Sequence, residues 1–197
     1  MSRFAVIASV ALTGCATIPP NAGNDPRDPF EVSNRHVFEF NQGFDEGFLK
    51  PLAETWKILL PEEIRTCLGN AFANLRGLSL VVNSLLQGKP DESLESGARF
   101  VVNSTVGLLG CIDVASSMGL ERVDEDFGQT LGVWGFQPGP YLVVPVFGPS
   151  TVRDAIGIFG VEPFLDLNFY IRNAPVEYTI AGLRIVNARA ELLGPFQ

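Results

Sequence analysis

The chain has 197 residues, the length of one ordinary domain with a single core, so a second full domain is not expected. Its composition is 46% hydrophobic and 18% charged, whereas an average soluble domain carries about a quarter charged residues, so either the chain faces lipid or its core is unusually large. The formal net charge of −8 and the lack of any basic run argue against a nucleic-acid partner, because phosphate contacts require clustered lysine and arginine.

The first fourteen residues have the pattern of an export signal. Arg3 supplies the positive start, and residues 4–12 form an apolar stretch too short to cross a bilayer, which needs about 20 residues. The sequence LTGC at residues 12–15 then looks like a bacterial lipobox, in which the Cys15 thiol accepts diacylglycerol. The alternative is a plain secretory signal followed by an incidental cysteine.

The residue after Cys15 and the segment behind it fit a lipid-anchored protein. Ala16 is compatible with sorting to the outer membrane, and several acyl chains would tether the chain firmly. Residues 15–27 contain proline, asparagine and glycine, which predicts a lipidated flexible leash. The rest of the chain, residues 28–197, is expected to form a single helical domain.

Three amphipathic helical patterns follow, each with apolar side chains at spacings of three and four. The first covers residues 30–60, and Lys50-Pro51 is expected to bend or break it. The second begins at Pro61 and ends at Gly88, and the third runs from Asp91 to the glycines at 107 and 110.

The second half of the chain is less regular. Residues 126–150 mix aromatic and aliphatic side chains with glycine and proline, which predicts an apolar loop with one short extended piece at 141–146. A short helix over 151–159 is expected to be capped by Ser150, and a final helix runs from Pro175 to Leu193. No helix pattern contains eighteen uncharged apolar residues in succession, so these helices are expected to lie along a membrane interface or close into a ring.

The sequence gives little support for catalysis, a cofactor or a metal. His36, the single histidine, falls in an amphipathic helix, and there is no G-x-S-x-G or H-E-x-x-H pattern. Three consecutive acidic residues, Asp124, Glu125 and Asp126, are interpreted as a solvated acidic turn, because side chains of adjacent residues diverge and do not readily surround a calcium ion.

Cys67 and Cys111 remain after the predicted lipidation site is set aside. An exported protein reaches an oxidising compartment, which allows a disulfide between them. Two buried free thiols on apolar faces are the alternative.

Many short blocks of the sequence resemble the MlaA/VacJ family of outer-membrane lipoproteins. The densest blocks are DFGQTLG at 126–132, Trp134-Gly135, Gly139-Pro140-Tyr141, Pro145, Gly148-Pro149-Ser150 and Arg153-Asp154. Earlier and later blocks include Asp28-Pro29-Phe30-Glu31, Asn34-Arg35, Phe40-Asn41, Asn74-Leu75, Val82-Asn83, Arg99-Phe100, Asn103-Ser104-Thr105, Ile112-Asp113-Val114-Ala115 and Arg189 with Leu192-Leu193. The likeness extends from Cys15 to Leu193. Many relatives continue for tens of residues beyond this last block, so any role of such a tail is expected to be absent here or filled otherwise.

The resemblance implies an all-α fold: a ring or compact bundle of amphipathic helices in the membrane plane with a central polar channel. It implies removal of mislocalised phospholipid from the outer leaflet of the outer membrane, association with trimeric porins, and transfer to a soluble periplasmic lipid carrier in the retrograde direction. Two other interpretations remain open: a structural lipoprotein that scaffolds porins without moving lipid, and a lipid-modifying enzyme.

Two groups of motif residues are singled out within this resemblance. The polar group, expected either to line a passage or to brace the helices around it, comprises Asn41, Asn70, Asn74, Asn83, Asn103, Asp113, Arg153 and Asp154. The second group, expected to act as a hinge or membrane-dipping segment or else to fill the core beneath a loop, comprises Trp134, Gly135, Gly139 and Tyr141.

Overall fold

The computed structural model describes residues 21–194, so the predicted signal segment and Cys15 lie outside the described residues. Within 21–194 the secondary structure is almost entirely helical, and the single sheet is a two-stranded hairpin, which confirms the predicted all-α class. The elements are α1 (Glu31–Phe44), a π-helical turn (Asp45–Leu49), α2 (Lys50–Leu59), α3 (Glu62–Leu75), α4 (Gly77–Leu86), α5 (Pro90–Thr105), α6 (Val114–Ser117), α7 (Phe127–Val133), β1 (Tyr141–Val144), β2 (Gly148–Thr151), α8 (Val152–Ile156), a second π-helical turn (Gly157–Val161), α9 (Glu162–Leu165), a 3-10 turn (Leu167–Tyr170) and α10 (Ala174–Leu192).

The first predicted helix forms, and Pro51 does not break it. Backbone angles stay helical at Lys50 (φ −63°, ψ −51°), and the helix continues to Leu59. Proline lacks an amide hydrogen, and its ring crowds the carbonyl four residues earlier. The π-helical turn at Asp45–Leu49 widens the backbone where that carbonyl lies, so the chain accommodates the proline without stopping. Of the predicted bend or break at Lys50-Pro51, the break is therefore wrong, and the local change in the helix is the π-helical turn just before it.

The second predicted helix is in fact two helices that meet at Arg76. The backbone there has ψ −3°, which ends α3 before α4 begins at Gly77. A Cβ atom at Gly77 would lie 2.6 Å from the ring of Phe100, so the glycine lets α4 approach α5 closely. Apolar spacing continues across the junction, which is why periodicity predicted one helix.

The predicted apolar loop at 126–150 is wrong over its first part, because residues Phe127–Val133 form α7. The Asp126 carboxylate caps this helix and accepts a hydrogen bond from the Gln129 amide at 2.7 Å. The short extended piece is confirmed as β1, although the strand ends at Val144 and pairs antiparallel with β2.

The last helices agree with prediction more closely. The short helix after residue 150 forms as α8, but Thr151 caps it in place of Ser150, since the Thr151 hydroxyl accepts from the Asp154 amide at 3.2 Å. The final helix is confirmed as α10, and Asn173 caps its start.

Contacts between elements form a closed circuit. α1 packs on β1, the hairpin packs on α8, α8 packs on α7, and α7 packs on α4. α4 packs on α3, α3 on α10, and α10 on α2, which is joined to α1 through the first π-helical turn. α3, α4 and α10 thereby become neighbours, and the polar cavities described below lie along them.

The distribution of polarity is the reverse of that in a soluble domain. The largest fully buried side chains among the described residues are polar: Asn83, Asn187, Thr130, Ser79 and Ser84. Thirty-four large apolar or aromatic residues in the same part of the chain are exposed, and Ile58, Leu109 and Leu192 reach 75%, 79% and 79%. Soluble domains bury such aliphatic side chains, and extensive apolar exposure marks a surface that another apolar phase covers.

None of the helices within residues 21–194 has both the length and the apolar character needed to cross a bilayer.

Candidate functional site

A wide cavity lies where the end of α2, the first half of α3 and the end of α10 meet, and we call it the α2–α3–α10 cavity. Its volume is about 550 Å³, within the range of small-molecule sites. Polar and charged side chains form most of its wall; the lining residues are Lys57, Glu62, Arg65, Thr66, Gly69, Asn70, Arg122, Ala190, Glu191 and Leu193.

A narrow cavity of about 40 Å³ adjoins it further along α3, with Asn70 and Arg122 shared between the two walls. This volume holds about one water molecule. The wall contains four of the polar residues singled out from the sequence: Asn70, Asn74, Asn103 and Asp113. The structure therefore brings half of that group together at one constriction.

An ion pair between Arg99 and Asp113 forms one side of the narrow cavity. The guanidinium donates to both carboxylate oxygens at 3.0 and 2.9 Å, and the Asn103 amide donates to the same carboxylate at 2.9 Å. Burial raises the pKa of Asp113, but hydrogen bonds from Ser116, Asn103 and Arg99 outweigh burial and hold that pKa well below its usual value. The carboxylate is thus negatively charged at neutral pH, and it also caps α6.

Asn70 and Asn74 connect α3 to the end of α5 and to the segment that follows it. Asn70 donates to the Cys111 carbonyl at 3.2 Å, and Asn74 donates to the Ser104 hydroxyl at 2.8 Å. A Cβ atom at Gly110, where φ is +93°, would lie 2.5 Å from Cβ of Asn74, so only glycine fits this close approach. These contacts fix the approach of the segment to α3.

A disulfide joins Cys67 in α3 to Cys111 in this same segment and closes a loop with a sequence separation of 44. A cross-link of this span restricts the unfolded chain. Beside it, Leu108 and Leu109 adopt left-handed backbone angles (φ 53° and 59°) and stay two-thirds or more exposed. The disulfide therefore holds the exposed apolar turn at Leu108 and Leu109 beside the polar cavities.

Replacing Cys67 and Cys111 with serine is expected to lower the free energy of unfolding by about 3 kcal/mol, because the unfolded chain regains the entropy of the open loop. Urea unfolding of the detergent-solubilised protein, followed by circular dichroism, measures the change. Thiol labelling of the denatured, unreduced wild type that modifies both cysteines would exclude the bond.

A third cavity, of about 470 Å³, lies between the α3–α4 junction, α9 and α10, and we call it the acidic cavity. Four carboxylates and two guanidiniums line it: Asp124, Asp126, Glu162, Asp166, Arg76 and Arg184. Arg184 pairs with Asp166 at 2.5 Å, and Arg76 pairs with Asp124 at 3.5 Å. The acidic cavity thus carries an excess of negative charge.

Glu162 is the centre of a buried polar cluster that joins α4, α7 and α9. Its carboxylate accepts from the Ser79 hydroxyl at 2.5 Å, the Asn83 amide at 2.9 Å and the Phe127 backbone amide at 2.7 Å. Asn83, which is fully buried, also accepts from the Thr130 hydroxyl at 2.8 Å. Asn83 therefore has the geometry of a bracing residue.

Asn41 braces α1 against the hairpin. Its side chain donates to the Val144 carbonyl at 3.0 Å and accepts from the Val146 amide at 2.7 Å. Val146 has φ +70°, a strained conformation for a β-branched residue that surrounding contacts must hold. Asn34, about two turns earlier in the same helix, makes the equivalent pair of bonds to the Tyr141 carbonyl and the Val143 amide.

Arg153 and Asp154 lie at the start of α8, away from the narrow cavity. They pair with each other at 3.0 Å. A Cβ atom at Gly128 would lie 2.7 Å from the Asp154 carboxylate, and one at Gly132 would lie 2.9 Å from the Arg153 guanidinium. The two glycines of α7 thus admit this pair against the helix.

The residues predicted to form a hinge or membrane segment are all exposed. The Trp134 indole donates to the Leu86 carbonyl at 3.0 Å, while Tyr141 begins β1. Gly135 and Gly139 have φ of +93° and +71°, which other residues adopt only with strain. The four residues therefore surround an exposed turn whose backbone requires glycine.

The three consecutive acidic residues diverge, but the predicted solvated turn is wrong for Glu125, which is 7% exposed. Glu125 is buried and pairs with Lys89 at 2.6 Å, Asp126 caps α7, and Asp124 faces Arg76. No group of histidine, cysteine, aspartate or glutamate side chains in the described chain is arranged to hold a metal ion.

Sequence reasoning missed the charged residues of the α2–α3–α10 cavity, above all Arg65, Arg122 and Glu191. Arg65 and Glu191 stand among apolar residues on amphipathic helices and were indistinguishable from solvated charges. Glu162 was also missed, although a carboxylate within an apolar stretch is a signal, since such a group needs hydrogen-bond donors when it is buried.

Fold and site together define a class: an all-helical protein with apolar groups outward, polar groups inward, and polar cavities along one helix. A family model for the MlaA lipoprotein matches residues 26–197, and the chain belongs to that family. A solved structure from work on the structural basis for maintenance of bacterial outer membrane lipid asymmetry superposes with a TM-score of 0.71, at 32% identity, over 84% of each chain.

Relatives in sequence agree with this assignment. The intermembrane phospholipid transport system lipoprotein MlaA of Haemophilus influenzae is 31% identical over 96% of this chain and 77% of its own length. The protein of the same name from Escherichia coli is 35% identical over 75% of this chain and 60% of its own. An uncharacterized protein of Rickettsia bellii is 32% identical over 88% of this chain and 68% of its own. The chain thus spans only part of the length of these relatives.

Proposed function

We propose that this protein is a lipid-anchored outer-membrane component that removes mislocalised phospholipid from the outer leaflet and passes it toward the periplasm. Residues 1–14 direct export, Cys15 carries the acyl chains, and residues 15–27 tether the helical domain. The phospholipid and membrane roles are those named for the family relatives, and no bond of the lipid needs to be broken.

The observation that carries the proposal is the reversed polarity. Exposed aliphatic side chains such as Ile58 and Leu109 suit hydrocarbon, while buried polar side chains such as that of Asn83 form hydrogen bonds inside. A charged head group loses its hydration when it crosses hydrocarbon, and this is costly without polar partners. The polar cavities along α3 offer such partners, so the head group moves through the protein while the acyl chains stay in lipid.

The test compares strains that lack the gene and carry plasmid copies of it. Surface phospholipid is measured on intact cells as the amount accessible to added phospholipase. Thr66→Trp places a large side chain in the α2–α3–α10 cavity, and Thr55→Trp places the same side chain on the exposed face of α2. At equal protein abundance, the wild type and Thr55→Trp are expected to restore asymmetry, and Thr66→Trp is not.

The same experiment separates transport from a purely structural role. A lipoprotein that scaffolds trimeric porins keeps its outer surface in Thr66→Trp, so full restoration of asymmetry by that variant would favour the scaffold. Appearance of lyso-lipid on incubation of phospholipid with the purified protein would instead indicate an enzyme. Transfer to a periplasmic carrier is measured with labelled lipid in a reconstituted bilayer.

The exposed turn at Gly135 and Gly139 is proposed to move during lipid passage. Valine at either position is strained at positive φ by about 1–2 kcal/mol, and so is expected to hold the turn in another conformation and raise surface phospholipid. Gly160→Val, at a glycine without positive φ and with only ordinary contacts, is the matched control. Unchanged surface phospholipid at normal protein abundance in both variants would count against the movement.

A further inference from the structure

The α2–α3–α10 cavity carries charges of both signs. Lys57, Arg65 and Arg122 are cationic, and Glu62 and Glu191 are anionic, which leaves an excess of one positive charge. The whole chain has a formal net charge of −8, so this cavity differs from its surroundings. The cationic side chains of this cavity suit a phosphate, and its two carboxylates suit a cation.

Arg65, Arg122 and Glu62 are not paired with one another across the cavity. Arg65 uses its Nε to donate to the Leu60 carbonyl at 3.3 Å, and Glu191 accepts from the Asn187 amide at 2.9 Å. In the described chain, Arg65, Arg122 and Glu62 form no salt bridge with another side chain, although they line one cavity. Guanidinium and carboxylate groups separated within one cavity suit a ligand that carries both charges.

Lys57 has a different role from the two arginines. Its ammonium donates to the Leu193 and Gly194 carbonyls at 2.9 Å each, which ties the end of α2 to the end of α10. The cavity wall is thus closed at that end by hydrogen bonds from the Lys57 side chain to backbone carbonyls. Arg65 and Arg122 remain as the groups whose planar donors match a phosphate.

We infer that the α2–α3–α10 cavity binds a zwitterionic phospholipid head group, with phosphate at Arg65 and Arg122 and the ammonium at Glu62 and Glu191. This inference rests on the proposed function and specifies its substrate class. An ammonium-bearing lipid satisfies both sets of charges. An anionic lipid with a neutral glycerol head satisfies the arginines alone and leaves the two carboxylates without a cation, so it binds more weakly.

Calorimetric titration of the full acylated protein in nonionic detergent tests the inference. The probes are dihexanoyl phosphatidylethanolamine, dihexanoyl phosphatidylglycerol and inorganic phosphate. Wild type is expected to prefer the ethanolamine lipid by about threefold to fivefold, the effect of ion pairs open to solvent. Arg65→Gln/Arg122→Gln is expected to weaken both lipids by about tenfold or more, because two charge-assisted contacts to phosphate are lost.

The carboxylate variant gives the sharper test. Glu62→Gln/Glu191→Gln keeps an acceptor for Asn187 and is expected to weaken only the ethanolamine lipid, so that the two lipids bind equally. Controls are Arg172→Gln and Glu39→Gln, both exposed and outside this cavity. Circular dichroism and an intact disulfide verify folding of every variant.

Several results would overturn the inference. These are equal binding of the two lipids by wild type, a preference that survives in Glu62→Gln/Glu191→Gln, and unchanged affinity in the arginine variant. Inorganic phosphate that binds as tightly as either lipid would identify a free-phosphate site instead. If wild type binds neither lipid, the proposed function fails as well, whereas lipid binding without head-group preference removes this inference alone.

Discussion

Replacing Glu162 with leucine is expected to lower the free energy of unfolding by about 3–5 kcal/mol. The Ser79 hydroxyl and the Phe127 backbone amide lose their acceptor, and the Asn83 amide keeps only its bonds to Ser79. A buried donor left without an acceptor costs about 1–3 kcal/mol. Urea unfolding in detergent micelles, followed by circular dichroism, measures the difference.

Two matched variants test whether the loss of hydrogen bonds to Glu162 causes the loss of stability. Glu162→Gln keeps one side-chain acceptor oxygen, and so is expected to lose about half as much stability. Glu46→Leu makes the same chemical change at an exposed glutamate on the first π-helical turn, and is expected to stay within about 0.5 kcal/mol of wild type. If Glu162→Leu unfolded at the wild-type urea concentration, the buried polar cluster would not hold α4, α7 and α9 together.

Asp113→Asn is expected to cost about 2–3 kcal/mol, because Arg99, whose side chain is 11% exposed, loses its counter-charge. The same pair predicts a pH dependence. Since the pKa of Asp113 is held below its unfolded value, the stabilisation is complete above the unfolded pKa of about 4 and is lost as pH falls through the lower folded pKa. Wild type is therefore expected to lose stability below about pH 4.

The Asp113→Asn variant is also the control for the pH dependence of stability. Asp113→Asn has no carboxylate at that position, so the difference in stability between wild type and variant is expected to shrink as pH falls below about 4. Arg99→Gln/Asp113→Asn is expected to cost less than the sum of the two single changes, since neither charge is then left alone. A constant difference between pH 7 and pH 3 would show that Asp113 acts through its shape and not its charge.

The regular helices were predictable because their signals are local. α10 has Pro175 in its first turn and Gly194 beyond its end, with apolar residues at helical spacing between them. α7 was missed although Asp126 and Gln129 have the spacing of a capping box. The glycines at 128 and 132 were interpreted as loop residues, whereas they make room for Asp154 and Arg153 of α8. That requirement exists only in the folded molecule.

The sequence indicates which polar residues of the site need hydrogen bonds, but it does not indicate which residues provide them. Asparagines within apolar stretches, such as Asn83 and Asn103, must find hydrogen bonds, and each does. The partner of Asn83 is 79 residues away, and nothing in its neighbourhood in the sequence names Glu162. Arg65 and Arg122 could not be assigned to one cavity for the same reason, because α3 and the segment after α6 meet only through tertiary packing.

Nitroxide labels in the protein reconstituted into liposomes test most directly whether the apolar faces lie in lipid and the interior is hydrated. Single cysteines replace Leu94 and Leu192 on the exposed apolar surface, and Thr66 and Glu191 in the α2–α3–α10 cavity, while Cys67 and Cys111 stay paired. We predict that oxygen, which dissolves in lipid, relaxes the first two labels most, and that a water-soluble nickel complex relaxes the two cavity labels most. Strong relaxation of the Leu94 and Leu192 labels by the nickel complex, with cavity labels reached by neither reagent, would contradict the account.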